Sequence, residues 1–203
     1  IWELFKDPED PSKGRITSCI SGWTCYTINQ VKIFEYGLGD LYTNFDPGSG
    51  GALDAAIAGA FAKGQPIVTY YWTPTSLMGK PEIDMVRLTE PAYDKACWDE
   101  MMVVVNKIKA DGLDAYEPSC ANEYKDMALT KLATGKFAAA NPDIIKFADA
   151  YTITTSVVNN MLAYYVDESG GDMEATAMHY LENHSEWESW VPADVASKVK
   201  STL

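Results

Sequence analysis

Apolar side chains recur at two different periods along this 203-residue chain. "GRITSCI" puts β-branched residues after a glycine and predicts a strand over 14–20. "WTCYTINQVKIFE" (23–35) sets apolar side chains at Ile28, Val31 and Phe34 or Ile33, the spacing of a helix face, and Gly37 and Gly39 end it. "LYTNFDPGSGG" (41–51) reads as a loop rich in turn residues. The alanine-rich "ALDAAIAGAFAKG" (52–64) predicts a helix stopped by Gly64. "QPIVTYYW" (65–72) predicts a buried strand, and "IDMVRLTEP" (83–91) a further short strand ending at a proline. Strand, helix, helix and strand within about 75 residues predict an α/β lobe over 1–91. Ligand chemistry is expected at the carboxyl ends of its strands, where Cys19 and Trp72 fall.

The flanking segments differ. "IWELFKDPEDPSKG" reads as the end of one helix followed by a polar, proline-rich connector over 6–14, and implies a fragment or processed form whose beginning lies upstream. Residues 92–125 mix a possible amphipathic helix with loop and read as an insertion or crossover. Cys97 and Cys120 bracket this stretch; joining them would close a loop of about 22 residues, worth roughly 3 kcal/mol. Residues 126–203 read as helical, with Asn141 and Pro142 in cap and first-turn positions and basic residues in the closing turns of "PADVASKVKSTL". This tail has too few strands for a lobe of its own. It is expected to pack on material preceding residue 1 or on a partner.

Composition narrows the function. At 47% hydrophobic, 22% charged and 12% aromatic the chain is globular. Twenty-nine acids against 16 bases give a net charge of −13, which repels phosphate backbones and anionic lipid, so no nucleic-acid partner is expected. The plain reading of this acidity is solubility of a secreted protein. Four cysteines fit neither a metal-ligand spacing nor a C-x-x-C pair, and the two histidines, His179 and His184, lie far from them. No metal site and no cofactor are expected. Two disulfides in an oxidising compartment are the simpler account of the cysteines; four buried thiols in a cytosolic protein are the alternative. No signal peptide is visible, and no apolar run approaches the roughly 18 residues of a membrane span.

The candidate chemistry centres on Trp23, Thr24 and Cys25. If a helix begins near Trp23, its first amides lack intrahelical partners and face outward at the positive end of the dipole, an anion site. A disulfide between Cys19 and Cys25 would fix the loop that aims them. Trp72 stands at the end of the second strand, with Pro74 stiffening the exit. Two indole faces beside amide donors suit a zwitterion: each face attracts an ammonium by about 0.5–2 kcal/mol, and the amides hold an anionic end. The competing reading makes Trp23 and Trp72 core residues. Trp2, Trp98, Trp187, Trp190 and most tyrosines are assigned to packing. His179 and His184, five apart and so not on one helix face, read as surface or capping residues. "GSGGA" (48–52) before a helix is a weak anion signal, and no Ser/His/Asp set, P-loop or G-x-G-x-x-G stands out.

"DPEDPSKGRITSCISGWTC", "YGLGDLYTNFDPGSGGALDAAIAGAFAKGQPIVTYYWTP" and "DMVRLTEP" together resemble the glycine betaine/choline-type substrate-binding proteins of ABC importers. The likeness runs from about residue 4 to 91 and continues more faintly from about 126 to 191. It implies a periplasmic-binding-protein type II-like α/β fold: one complete lobe plus the helical C-terminal part of the other. It implies a non-enzymatic, periplasmic or extracytoplasmic solute-binding component for glycine betaine, choline or a related osmolyte, working with a membrane permease. By the same resemblance Trp23 and Trp72 are cage walls, the amides of Thr24 and Cys25 hold the carboxylate, and Cys19 pairs with Cys25. Two departures stand out. Relatives often carry an aromatic or histidine soon after the W-x-P, where this chain has "TSLMG". The third cage aromatic belongs to a lobe encoded upstream. Two other functions remain in view: a receptor's ligand-sensing domain with the same pocket, and a thiol hydrolase using Cys25 at a helix N-terminus, for which this half of the chain offers no histidine base.

Overall fold

The computed structural model describes residues 1–203, which form two compact units: Ile1–Trp72 with Met85–Asp126, and Thr73–Asp84 with Met127–Leu203. These units cut the chain differently from the three-part division at 91/92 and 125/126. Residues 73–84 go with the helical tail, and residues 92–126 go with the sheet.

The first unit is built on three parallel strands, β1 (Gly14–Thr17), β2 (Tyr42–Phe45) and β3 (Val68–Thr69), in the order β2-β1-β3. Gly14 lies opposite Tyr42, and Ile16 opposite Val68. Helix α1 (Thr24–Glu35) connects β1 to β2, and α2 (Gly50–Ala62) connects β2 to β3. β2 falls inside the stretch read as a loop. Its Tyr, Thr and Phe are strand formers that outweigh Asn44, and the Asp-Pro-Gly turn begins only at Asp46. β3 is only two residues long, so Tyr70, Tyr71 and Trp72 lie beyond the sheet. Residues 83–91 form no strand. Glu90 anchors that segment by accepting hydrogen bonds from Lys32 Nζ at 2.7 Å and the Tyr36 hydroxyl at 2.8 Å.

The connector is held on the sheet by Asp7, which is only 4% exposed. Its carboxylate accepts from the Arg15 guanidinium at 2.5 Å and from the Thr43 hydroxyl. Burial alone would raise its pKa, but these hydrogen bonds and the Glu9 amide outweigh it and hold the group below the ordinary value. The opening residues form a single 3-10 turn, Trp2–Phe5.

Helix α3 (Lys95–Asp111) is capped by Asp94, whose side chain accepts from the Cys97 amide at 2.9 Å. Its Met101, Val104, Val105 and Ile108 pack on Ile28 and Val31 of α1 as one core. The segment read as an insertion therefore supplies half of this unit's helical core. A disulfide joins Cys97 to Cys120 with Cα atoms 5.7 Å apart, fastening the return segment to the start of α3.

In the second unit residues 127–134 have no regular structure, residues 73–84 carry only a 3-10 turn at Leu77–Gly79, and the rest is helices joined by short links. The unit comprises α4 (Gly135–Ala140), α5 (Pro142–Ala150), α6 (Thr155–Asp167), α7 (Met173–Asn183) and α8 (Ala193–Lys200). Asn141 and Pro142 occupy the cap and first-turn positions of α5. Asn159 of α6 accepts from the Thr75 amide at 2.8 Å and the Thr73 hydroxyl at 3.0 Å, seating residues 73–84. Trp187, Trp190 and Ala196 form a core cluster of this unit. No helix of the chain is long and apolar enough to cross a membrane.

Candidate functional site

β1 lies between β2 and β3, so the crossovers before and after β2 run to opposite sides of it. A sheet of this order opens a crevice beyond the carboxyl ends of β1 and β3. The chain leaving β1 turns sharply there. Ser18 is fully buried, its amide bonded to the Phe45 carbonyl at 2.9 Å and its hydroxyl accepting from Asn29 Nδ2 at 2.9 Å. The Ser21 amide donates to Asp46 at 3.1 Å. Hydrogen bonds from Ser21 and Gly48 hold the Asp46 carboxyl below its ordinary pKa. A disulfide joins Cys19, two residues past β1, to Cys25 in the first turn of α1, with Cα atoms 6.2 Å apart.

Trp23 is the N-cap residue of α1 and contributes no side-chain cap. Thr24 and Cys25 are the first two helical residues, so their amides precede the intrahelical ladder and lie at the positive end of the dipole. Trp72 follows β3. Its ring meets that of Trp23 edge to face, with centroids 5.6 Å apart and planes at 66°. Trp23 is 44% exposed and Trp72 38%, so neither is a core residue. The core reading of these two tryptophans is thereby overturned.

Behind the indoles runs a series of rings. Tyr71 and Tyr70 stand 4.9 and 6.2 Å from Trp72, and Tyr124 stands 5.6 Å from Tyr70. Tyr71 is tethered through its hydroxyl to Asp54 of α2 at 2.7 Å. Tyr124 donates to Asn29 Oδ1 at 2.8 Å, and the Lys32 ammonium sits 4.1 Å from its ring centroid. Burial raises the pKa of both Tyr70 and Tyr124. Lys109 of α3 donates to Thr24 Oγ1 at 3.0 Å. Sequence reasoning brought Trp23, Thr24, Cys25 and Trp72 together but left Tyr124 to packing and did not single out Lys109. Both lie in the segment whose burial against α1 is a tertiary fact.

All four cysteines are in disulfides, so Cys25 presents no thiol and the hydrolase reading falls. No group of three or more His, Cys, Asp or Glu side chains could hold a metal ion. In the second unit His179 and His184 do share one cavity, of about 310 Å³, because His184 lies past the last turn of α7. His179 stacks on Tyr164 there at 3.8 Å. The charged Lys80 and Asp167 that line it pair with each other at 2.7 Å.

Comparison with known proteins places the chain in a family. A family model described as the substrate binding domain of ABC-type glycine betaine transport system matches residues 3–183. The chain is 25% identical over 199 residues to the glycine betaine-binding periplasmic protein OusX of Dickeya dadantii (strain 3937), an alignment covering 95% of this chain and 56% of that protein. The chain thus spans about half the length of the curated relative it matches.

Proposed function

Given that this chain belongs to the family of substrate-binding domains of ABC-type glycine betaine transport systems, we propose that it is the solute-binding part of an importer for a quaternary ammonium osmolyte. The family is one of substrate-binding proteins, not of enzymes. The observation that carries the ligand chemistry is the half-exposed Trp23–Trp72 pair, 5.6 Å apart, beside the unpartnered amides of Thr24 and Cys25. A trimethylammonium group lies against the two indoles, where the ring quadrupole attracts it and no hydrogen-bond acceptor is needed. A carboxylate at the other end takes the two amides. Glycine betaine fits both ends, and choline fits the first.

In this reading the unit carrying β1–β3 is one complete α/β lobe, and the α4–α8 unit is the helical C-terminal part of the other. The loaded protein would deliver its ligand to a membrane permease from the periplasmic or extracytoplasmic side, in the service of osmoprotection. The test is isothermal titration of the full-length protein with glycine betaine. Trp23→Ala and Trp72→Ala should each weaken binding by about 2- to 30-fold, the worth of one cation–π face. Failure of the wild type to bind any quaternary ammonium or sulfonium compound would sink the proposal.

A further inference from the structure

Lys109 occupies the last turn of α3, and its ammonium stands 3.0 Å from Thr24 Oγ1, at the first residue of α1. Acids outnumber bases 29 to 16, and its neighbour Lys107 is paired with Glu117 at 2.5 Å. Lys109 nonetheless has no carboxylate partner, only the neutral Thr24 hydroxyl. The positive end of the α1 dipole and an uncompensated ammonium therefore coincide at Thr24. Trp23, the preceding residue, carries the indole that would receive a ligand's ammonium.

We propose that Lys109 is a specificity-determining residue that favours quaternary ammonium ligands ending in a carboxylate over those ending in an alcohol. The inference rests on the functional reading above. A zwitterion with its ammonium on the indoles brings its carboxylate to the Thr24 and Cys25 amides, within reach of Lys109, and gains a charge-assisted contact. A ligand such as choline brings a neutral hydroxyl to the same place and carries a net positive charge towards an unpaired ammonium. Lys109 thus attracts the first class and repels the second.

The experiment measures glycine betaine and choline dissociation constants for the full-length protein and its Lys109→Met and Lys109→Arg variants at low and high salt. Lys109→Met should weaken betaine binding by about two- to fivefold, the range of an exposed ion pair, and leave choline binding equal or tighter. Lys109→Arg should restore the preference for betaine. Salt should erode that preference in the wild type, by screening, and leave it unchanged in Lys109→Met. Equal effects on both ligands, or no effect on either, overturn the role of Lys109 while leaving the binding function intact. Absence of binding of both compounds by the wild type overturns the functional reading on which it rests.

Discussion

Lys32 lies on the inner face of α1 with its side chain only 7% exposed, and its ammonium meets Glu90 at 2.7 Å. Burial lowers its pKa, opposed by the hydrogen bond and charge of Glu90. This pair fastens the extended segment before α3 to the helix that starts the candidate site, and breaking it from either side has a calculable cost. Removing one partner of a fully buried pair costs about 3–5 kcal/mol, because the other charge is stranded. Glu90 is 24% exposed and keeps the Tyr36 hydrogen bond at 2.8 Å, so Lys32→Met leaves a partly solvated carboxylate. That discounts the cost to about 2 kcal/mol. Glu90→Gln strands the more deeply buried ammonium and should cost more, about 3 kcal/mol. The double variant strands neither charge and should lie within about 1 kcal/mol of the wild type. Urea unfolding followed by circular dichroism gives the three values as midpoint shifts at constant slope. The reasoning fails if Lys32→Met changes stability by less than about 0.5 kcal/mol, or if the two single costs simply add in the double variant.

Two further outcomes follow from the packing. A Cβ at Gly79 would run into the Asn159 carbonyl oxygen and come within 3.0 Å of Ala163 Cβ, so Gly79→Ala must lift residues 73–84 from α6. It should cost about 1–3 kcal/mol and reduce amide protection in α6 by hydrogen exchange; unchanged protection would refute the contact. At alkaline pH, burial together with Glu90 raises the Tyr36 hydroxyl, burial raises Tyr124, and burial together with Glu35 raises Tyr116 to about 12. Above about pH 10 the unfolded chain loses these protons while the folded chain keeps them, so stability should be level near neutrality and fall from about pH 10 upward. Lys32, with its lowered pKa, acts in the opposite sense but is outnumbered. Urea midpoints from pH 8 upward, read beside phenolate absorbance, check this; tyrosines that titrate together near pH 10 without a fall in midpoint would contradict it.

The helices were the legible part of the fold, because their signals are local. Gly37 and Gly64, both at positive φ, end α1 and α2 where the sequence placed their stops, and Asn141–Pro142 opens α5. The extended segments were harder to read. β2 is only four residues, too short for alternation to register against the Asp-Pro-Gly turn that follows. Residues 83–91 carry Val86 and Leu88, good strand formers, yet these are 84% and 66% exposed. What fixes that segment is Glu90, and no propensity scale holds a contact made across 58 positions to Lys32.

The same division runs through the site. Cys19, Trp23, Thr24 and Cys25 lie within seven positions, so one disulfide and one helix start bring them together without help from the rest of the fold. Trp72 joins them through the parallel pairing of β1 with β3. Tyr124 and Lys109 reach the same place from 95 and 85 positions away, and only the packing of α3 and its return segment on α1 delivers them. That packing is an apolar seam in which Val104, Val105 and Ile108 meet Ile28 and Val31. Lys109 follows Ile108 directly, so the register of apolar side chains decides which residue stands at Thr24. Sliding α3 by one turn would bring Val105 there and leave the helix start without its ammonium. The charge at the candidate carboxylate end is therefore set by core packing, and repacking the seam, with no change at Thr24 or Lys109, should alter the preference between betaine and choline.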